Sequence, residues 1–411
     1  MRILLYGLNH APEMVGIGRY SGELAQWLAG RGHGVRVITA PPYFPQWRAK
    51  GNRYRRERLG AVQVQRCPLW VPARPSGLTR LLHLASFAVS SLPPLLAQRS
   101  WRPDVVITVA PAFFCAPGAL LVSRNRSWLH IQDFELDAAF ELGLLKGGWL
   151  RALAEGWERR TLRRFARVST ISAAMRQRLI DKGVAADRAE LLPNWVDLQA
   201  IQPHGSEKRS ANPYRKELGI APEACVLLYS GSMNKKQGLE LLVAVMGQLT
   251  DLPQLVWLLA GEGPTKAELL EATERMANVK VLPLQPAARL DDWLNLADVH
   301  LLPQKASAAD LVLPSKLLGI LASGRPVVAS SPASSELGEI AQEAGLRVDP
   351  EDAAAFAAAV RRLVQDPALR HQRGRAARLL AEKNYGREAV LTKLEKSLLQ
   401  LAGRAPEAKR A

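Results

Sequence analysis

Cysteine is scarce in this chain. Cys67, Cys115 and Cys225 stand far apart in 411 residues, with no C-x-x-C pair. That spacing excludes a disulfide framework and a cysteine-built metal site, and it fits a reducing compartment. Acidic residues are also in deficit: 38 Asp and Glu face 55 Lys and Arg, leaving a formal net charge of +17. Aromatics are only 6% of the chain. Few of them lie among the basic residues, and no helix-turn-helix, zinc-finger spacing or RNP-type motif occurs, so no nucleic-acid partner is expected. The chain has no H-E-x-x-H, no D-x-D pair and no Ser/His/Asp order, which places metal-dependent and hydrolase chemistry low. No apolar stretch runs uninterrupted for the length of a membrane span. The apolar start ILLYGL is too short for a signal peptide. The expectation is a cytoplasmic protein, at most peripheral to a membrane.

What is present is an ordinary globular balance, 48% hydrophobic and 23% charged, in a chain long enough for two domains. Apolar runs alternate with helical patterns. Arg2–Tyr6, Val35–Ile38, Val105–Val109, Trp128–Ile131 and Ser169–Ile171 read as buried strands, with a helix over Tyr20–Leu28. A second series follows a polar, Pro-containing segment. Its strands are Val226–Tyr229, Leu255–Leu259, Val279–Leu282, Val299–Leu302 and Val327–Ala329, with helices over Leu239–Gln248, Lys266–Arg275 and Leu290–Leu296. Short apolar strands between helices signify parallel sheets covered on both faces. The expected class is α/β, with two doubly wound Rossmann-like domains facing across a cleft. Residues 1–200 form the first, 201–385 the second, and 386–411 a helix returning to the first with a basic tail.

Ligands of such sheets lie beyond the carboxyl ends of the strands, and the candidate chemistry falls there. Gly16 and Gly18 follow the first strand, where glycine lets backbone approach a ligand, but the spacing is not that of a dinucleotide fingerprint. Gly231 and Ser232 follow a strand of the second domain, and Lys235 and Lys236 stand at a helix start. Cations oppose the helix dipole there, which favours an anion-binding role. Gly261, Glu262 and Gly263 form a tight turn on the same rim. Asp310 and Pro314 precede Ser315, Lys316 and Leu317, which open a short helix ending at Ser323-Gly324. Free amides at such a mouth, beside a lysine, suit a diphosphate. In the first domain Asp133 ends the strand carrying His130, where a carboxylate can position or deprotonate a hydroxyl. Glu135, Asp137 and Glu141 follow it, and the first two also fit the polar first turn of a helix.

The basic residues cluster. Arg48, Lys50, Arg53, Arg55, Arg56, Arg58 and Arg66 crowd one region with Glu57 the only acid among them, and the apolar segment Leu78–Leu96 comes next. The pairing suggests docking to an anionic membrane surface. The alternative is a solvated loop followed by a core helix.

The motifs LNHAPEMVGIGRYSGELAQWLAGRGHGVRVITAPPYFPQW (8–47), HIQDFELDAA (130–139), LLPNWVD (191–197) and YSGSMNKKQGLE (229–240) span the first half and the junction. AGEGP (260–264), ADVHLLPQ (297–304) and ADLVLPSKLLGILASGRPVVA (309–329) complete the set. Together they resemble the family-4 glycosyltransferases of GT-B fold, most of all the fucosyltransferase-like branch of colanic acid and O-antigen assembly. The resemblance implies a nucleotide-sugar-dependent enzyme that moves a sugar, fucose or a related one from a GDP- or UDP-sugar, to a hydroxyl with retention of configuration. It implies no cofactor and no essential metal. The acceptor is expected to be a polyprenyl-diphosphate-linked glycan, met at the inner face of the cytoplasmic membrane.

Carried over by position, Gly16 and Gly18 match the family's first-domain glycine loop, and Lys235 and Lys236 its basic phosphate segment. Ser232 stands where an arginine is common. The second of the family's paired glutamates, which holds the ribose, falls on Gly319, and the first falls on or beside Asp310-Leu311. The Ser315–Leu317 amides and Lys316 are therefore expected to carry the diphosphate. Two rival functions are a GT-B sugar-nucleotide epimerase and a non-catalytic sugar-nucleotide-binding scaffold. The first would need no lipid-facing basic region; Gly319 and Ser232 keep the second open.

Overall fold

The computed structural model describes residues 1–13, 16–43, 47–49, 51–73, 77–111, 113–137, 148–306 and 313–404. The chain divides into two compact units, Met1–Pro193 with Leu391–Ala411, and Asn194–Val390. Each is built on one largely parallel sheet, a Rossmann-like half.

Among the described residues the first unit carries eight strands: β1 (Arg2–Gly7), β2 (Gly34–Thr39), β3 (Arg55–Leu59), β4 (Val62–Arg66), β5 (Val105–Ala110), β6 (Ser127–Ile131), β7 (Arg167–Thr170) and β8 (Ala189–Leu191). Their spatial order is β3-β4-β2-β1-β5-β6-β7-β8, parallel throughout except for the β3–β4 pair. Strands β5 and β6 are buried at every position, the pattern of a sheet covered on both faces. The order reverses between β1 and β5, which sets the switch point of this sheet.

Three sequence expectations change here. The second half of the basic stretch is not a loop: β3 and β4 form an antiparallel ribbon in which Arg55 pairs with Arg66 and Leu59 with Val62, while Arg48 and Arg53 lie exposed before it and Lys50 lies outside the described residues. Arg66 is buried, bonded to Glu57 and to the carbonyls of Ala40 and Ala11, so it is a structural residue rather than part of a basic face. The first helix runs Gly16–Gly30, starting four residues before Tyr20. It takes in both candidate glycines, and a Cβ at Gly18 would stand 2.5 Å from Glu13 Oε2 and one at Gly22 2.7 Å from Ala11 Cβ. The helix Gly77–Trp101 runs through Pro93 and Pro94. Its Thr79–Trp101 portion is long and apolar enough, by length and composition, to cross a membrane, against the expectation from the interrupted sequence.

The second unit carries β9 (Cys225–Ser230), β10 (Leu255–Ala260), β11 (Val279–Leu282), β12 (Val299–Leu302), β13 (Val327–Ser330) and β14 (Gly345–Val348). The order is β11-β10-β9-β12-β13-β14, all parallel. Its core packs Trp257, Tyr229, Leu227 and Phe356 on one face of the sheet and Val226, Leu228 and Trp293 on the other. The switch point lies between β9 and β12.

Candidate functional site

The switch point of the second sheet gathers the strongest constellation. Tyr229 is the penultimate residue of β9, and Gly231 follows that strand with φ +152°. The helix Lys316–Ala322 sends its first side chain back across them. Lys316 Nζ donates to the Tyr229 hydroxyl (3.0 Å) and to Gln237 Oε1 (2.6 Å), and lies 4.3 Å from the Tyr229 ring centroid. A Cβ at position 231 would come within 3.0 Å of Lys316 Nζ, so only glycine leaves the ammonium this seat. Among the described residues no carboxylate pairs with it. Burial in this neutral setting lowers its pKa to about 7. A half-desolvated ammonium held by uncharged acceptors is a ready partner for a phosphate oxygen.

The neighbouring loops are locked together through their backbones. Gly261 and Gly263 leave no room for a side chain: a Cβ there would meet the carbonyl oxygens of Gly231 at 1.8 Å and Met233 at 2.0 Å. These glycines serve loop packing, and that packing sets the position of Gly231. Glu262 points outward and pairs with Lys266 at 2.8 Å. Ser232 is exposed, and its hydroxyl accepts from the Asn234 amide at 3.2 Å. Lys235 and Lys236 are exposed on a single 3₁₀ turn closed by Gly238 at φ +63°. The Lys236 amide donates to Asn234 Oδ1 (3.1 Å). The Lys236 carbonyl accepts from the Lys305 amide (3.2 Å), which joins the loops after β9 and β12.

The helix mouth differs from the expectation. The Leu317 amide donates to the Pro314 carbonyl at 2.9 Å, so it is not a free donor. Ser315 caps the helix without a side-chain bond. The Leu317 amide is thus taken, and the Lys316 side chain is the contact this segment makes with the end of β9. Asp310, and the Leu311 beside it, lie outside the described residues, as does Glu141. Gly319 faces the helix Leu290–Leu296, where a Cβ would stand 3.0 Å from Leu294 Cδ1. Residue 319 therefore serves helix packing.

In the first unit the segment after β1 folds back on itself. A Cβ at Gly18 would lie 2.5 Å from Glu13 Oε2, so the missing side chain makes space for the buried Glu13 carboxylate. That carboxylate accepts from the Asn9 amide (2.9 Å) and the Tyr43 backbone amide (3.1 Å). Tyr43 stacks edge-on against His83 and Trp47. Gly16, at φ +59°, is exposed with open space around it. Gly18, offered in the sequence as a phosphate contact, packs here against Glu13. Glu13, Tyr43 and His83 were not singled out in the sequence; the signal was an acid in an apolar loop five residues before a glycine.

His130 and Asp133 separate in role. His130 lies inside β6, fully enclosed, with Nδ1 2.9 Å from Ser169 Oγ, which also accepts from Trp128 Nε1 at 2.7 Å. Burial lowers its pKa to about 4 and keeps it neutral. Asp133 is half-buried just past the strand end. Glu135 Oε2 accepts from the Phe113 amide at 2.9 Å, tying the ends of β6 and β5 together. Asp137 is held by Lys182 (2.8 Å) and Arg178 (3.0 Å). Glu135 and Asp137 are structural.

Among the described residues one group has metal-ligand composition, His204 with Asp291 and Asp292. His204 Nε2 lies 2.8 Å from Asp291 Oδ2, Lys208 Nζ lies 3.4 Å from the same oxygen, and the Gln202 amide donates to Asp291 Oδ1. Those contacts tie the segment after β8 to the helix Leu290–Leu296.

Comparison with known proteins places both halves. Residues 15–195 match the glycosyl transferase 4-like domain, and residues 224–366 match glycosyl transferases group 1. The chain is 43% identical over 406 residues to the putative colanic acid biosynthesis glycosyl transferase WcaI of Escherichia coli K12, covering 95% of this chain and 98% of the relative. A glycogen synthase of Mycobacterium tuberculosis is 25% identical over 417 residues, covering 95% and 93%. Among solved structures, sucrose-phosphate synthase from Thermosynechococcus elongatus superposes with a TM-score of 0.75 at 18% identity, covering 98% and 100%. HepE from Anabaena, in complex with UDP and glucose, gives 0.70 at 15%, covering 97% and 99%.

Proposed function

Because the chain belongs to the nucleotide-sugar-dependent glycosyltransferases of GT-B fold, we propose that it transfers a sugar, fucose or a related one, from a GDP- or UDP-sugar to a hydroxyl of a lipid-linked glycan. The setting is exopolysaccharide or O-antigen assembly, at the inner face of the cytoplasmic membrane. The 43% identity to a putative colanic acid transferase supports that setting. The observation that carries the proposal is the Lys316–Tyr229–Gln237 seat at the switch point of the second sheet, where the donor diphosphate is assigned. Lys235 and Lys236 add a peripheral positive field.

In the reaction the acceptor oxygen bonds to the anomeric carbon while the bond from that carbon to the diphosphate oxygen breaks. With retention, the incoming hydroxyl arrives on the face the phosphate leaves. Its proton passes to a phosphate oxygen. Negative charge grows on the leaving diphosphate, and a preorganised ammonium stabilises it without an essential metal. Asp133 is assigned to orient the acceptor hydroxyl from the first unit, and His130, neutral and enclosed, to hold β6 in place behind it.

The test is release of free nucleoside diphosphate. A transferase releases it in proportion to acceptor; an epimerase or a binding scaffold does not respond to acceptor. A thermal-shift screen of GDP-, UDP- and ADP-sugars identifies the donor, because a ligand that binds the native state raises its apparent stability.

A further inference from the structure

One groove in the first unit lies apart from the residues assigned above. Strand alternation builds it. Arg36 pairs with Gln63, and Ile38 with Gln65, across β2 and β4; Gln63 and Gln65 in turn face Arg58 and Arg56 across β4 and β3. Residues two apart share a face, so arginines and glutamines collect on one side of the sheet edge. The last turns of the helix Gly77–Trp101 roof it, leaving a groove of about 500 Å³ lined by Arg36, Arg56, Gln63, Gln65 and Gln98 among others.

The guanidinium groups are held by neutral acceptors. Arg36 Nε donates to Gln63 Oε1 and Arg36 Nη1 to Gln98 Oε1, both at 3.1 Å. Arg56 Nε donates to Gln65 Oε1 at 3.1 Å. The glutamines are themselves anchored, Gln98 to the Pro94 carbonyl and Gln65 to that of Arg66. The Trp101 ring lies 4.3 Å from the Arg36 guanidinium carbon. Glu57 lines the groove, but its carboxylate is bonded by Arg55 and Arg66. Among the described residues neither Arg36 nor Arg56 has a carboxylate partner. Two preset cations facing one groove repel each other, and burial together with the field of Arg56 lowers the pKa of Arg36. A bound anion relieves that repulsion.

We propose that this groove is a binding site for a phosphate-bearing ligand, with Arg36 and Arg56 taking the phosphate oxygens through their remaining N–H groups. The inference is independent of the donor assignment. Phosphate could come from a soluble diphosphate or from a lipid headgroup, and the experiment separates them.

Pyrophosphate is titrated calorimetrically into the full-length Lys316→Met protein, which takes the second unit's ammonium out of the count. One site is expected, weakened at least tenfold by adding Arg36→Gln and Arg56→Gln. The control pair Arg124→Gln and Arg159→Gln, both exposed and outside the groove and the basic cluster, makes the same charge change and should leave it intact. Near-ultraviolet circular dichroism verifies that each variant is folded. Cosedimentation with phosphatidylglycerol and phosphatidylcholine vesicles supplies the second arm. Loss of phosphatidylglycerol binding in the groove variant assigns the headgroup; loss of pyrophosphate binding alone assigns the soluble anion. No loss in either assay, or an equal loss in the control pair, overturns the site.

Discussion

The ammonium of Lys316 stands over the Tyr229 ring, 4.3 Å from its centroid, and donates to the hydroxyl of the same residue at 3.0 Å. Tyrosine neutralises no charge, so burial lowers the lysine pKa to about 7. An arriving diphosphate supplies the missing countercharge and restores the protonated form. Nucleoside diphosphate affinity should therefore fall as pH rises through about 7. Calorimetry at pH 8 in buffers of different ionisation enthalpy should show proton uptake on binding. Affinity that is flat from pH 6 to 9, with no proton uptake, would remove Lys316 from the phosphate site.

The same group makes a stability prediction of opposite sense. Its folded pKa lies below the unfolded one, so the unfolded chain binds more protons between them. The penalty is fully present below about pH 7 and fades as pH rises towards the ordinary lysine value of 10.5. Lys316→Met should thus raise stability at pH 6, on the order of 1–3 kcal/mol, and change it little near pH 10. Urea titrations at the two pH values read this directly. Diphosphate binding should weaken by roughly 1.5–3 kcal/mol, the scale of a charge-assisted hydrogen bond. Lys236→Ala, at an exposed lysine, should cost only about 0.2–1 kcal/mol.

Much of this site was legible before folding, and the limits of that legibility are physical. Lys316, Gly231 and Lys235 lie at the ends of runs whose period announces strand or helix, so the rim of the second sheet could be assembled from the chain. Tyr229 could not be added, because it sits within a continuous apolar strand and gains its role only from what the topology sets opposite it. The Leu317 amide looked free because a helix mouth leaves donors open, yet a local bond to Pro314 takes it. Nothing in the sequence signalled that Glu13 would fold back onto Gly18. The β3–β4 ribbon was hidden by its arginines, which suit an exposed edge strand as well as a loop.

Glu13 and Gly18 make the next prediction. Gly18→Ala places a methyl 2.5 Å from Glu13 Oε2 and 2.6 Å from Glu13 Cβ. Overpacking of this kind costs about 1–3 kcal/mol. The carboxylate must also leave the Asn9 and Tyr43 amides. A lower melting temperature is expected, and the double variant Gly18→Ala with Glu13→Ala should recover part of it. No change in melting temperature for the single variant would mean that the loop has room to spare.

Asp133 and His130 separate by pH and by rate. Asp133→Asn should lower turnover by about 10²-fold, the scale of a misplaced reacting group, with donor affinity unchanged. His130, neutral with a pKa of about 4, should add no inflection to the rate profile between pH 5 and 8. An inflection near pH 6.5 that vanishes in His130→Phe would transfer the role to the histidine.

The last prediction concerns the exposed face of the helix Gly77–Trp101 and the basic ribbon beside it. The helix Gly77–Trp101 exposes Leu82 at 52% and Val89 at 73%, and the exposed arginines Arg53, Arg55, Arg56 and Arg58 occupy the neighbouring ribbon and its approach. Apolar side chains entering a bilayer and arginines meeting its headgroups respond differently to salt. Burial of a Leu or Val side chain yields about 1.5–3 kcal/mol and is not screened, whereas each surface-bound basic residue yields about 1 kcal/mol and fades within a Debye length. Vesicle cosedimentation should therefore show a salt-dependent part lost in the fourfold Arg→Ser variant, and a salt-resistant part lost in Leu82→Asp with Val89→Asp. Transfer to a lipid-linked acceptor should fall in both variants while donor binding is unchanged. Equal cosedimentation of all three proteins, or none by any, would detach the enzyme from the membrane and leave its sugar-transfer assignment resting on the Lys316 seat alone.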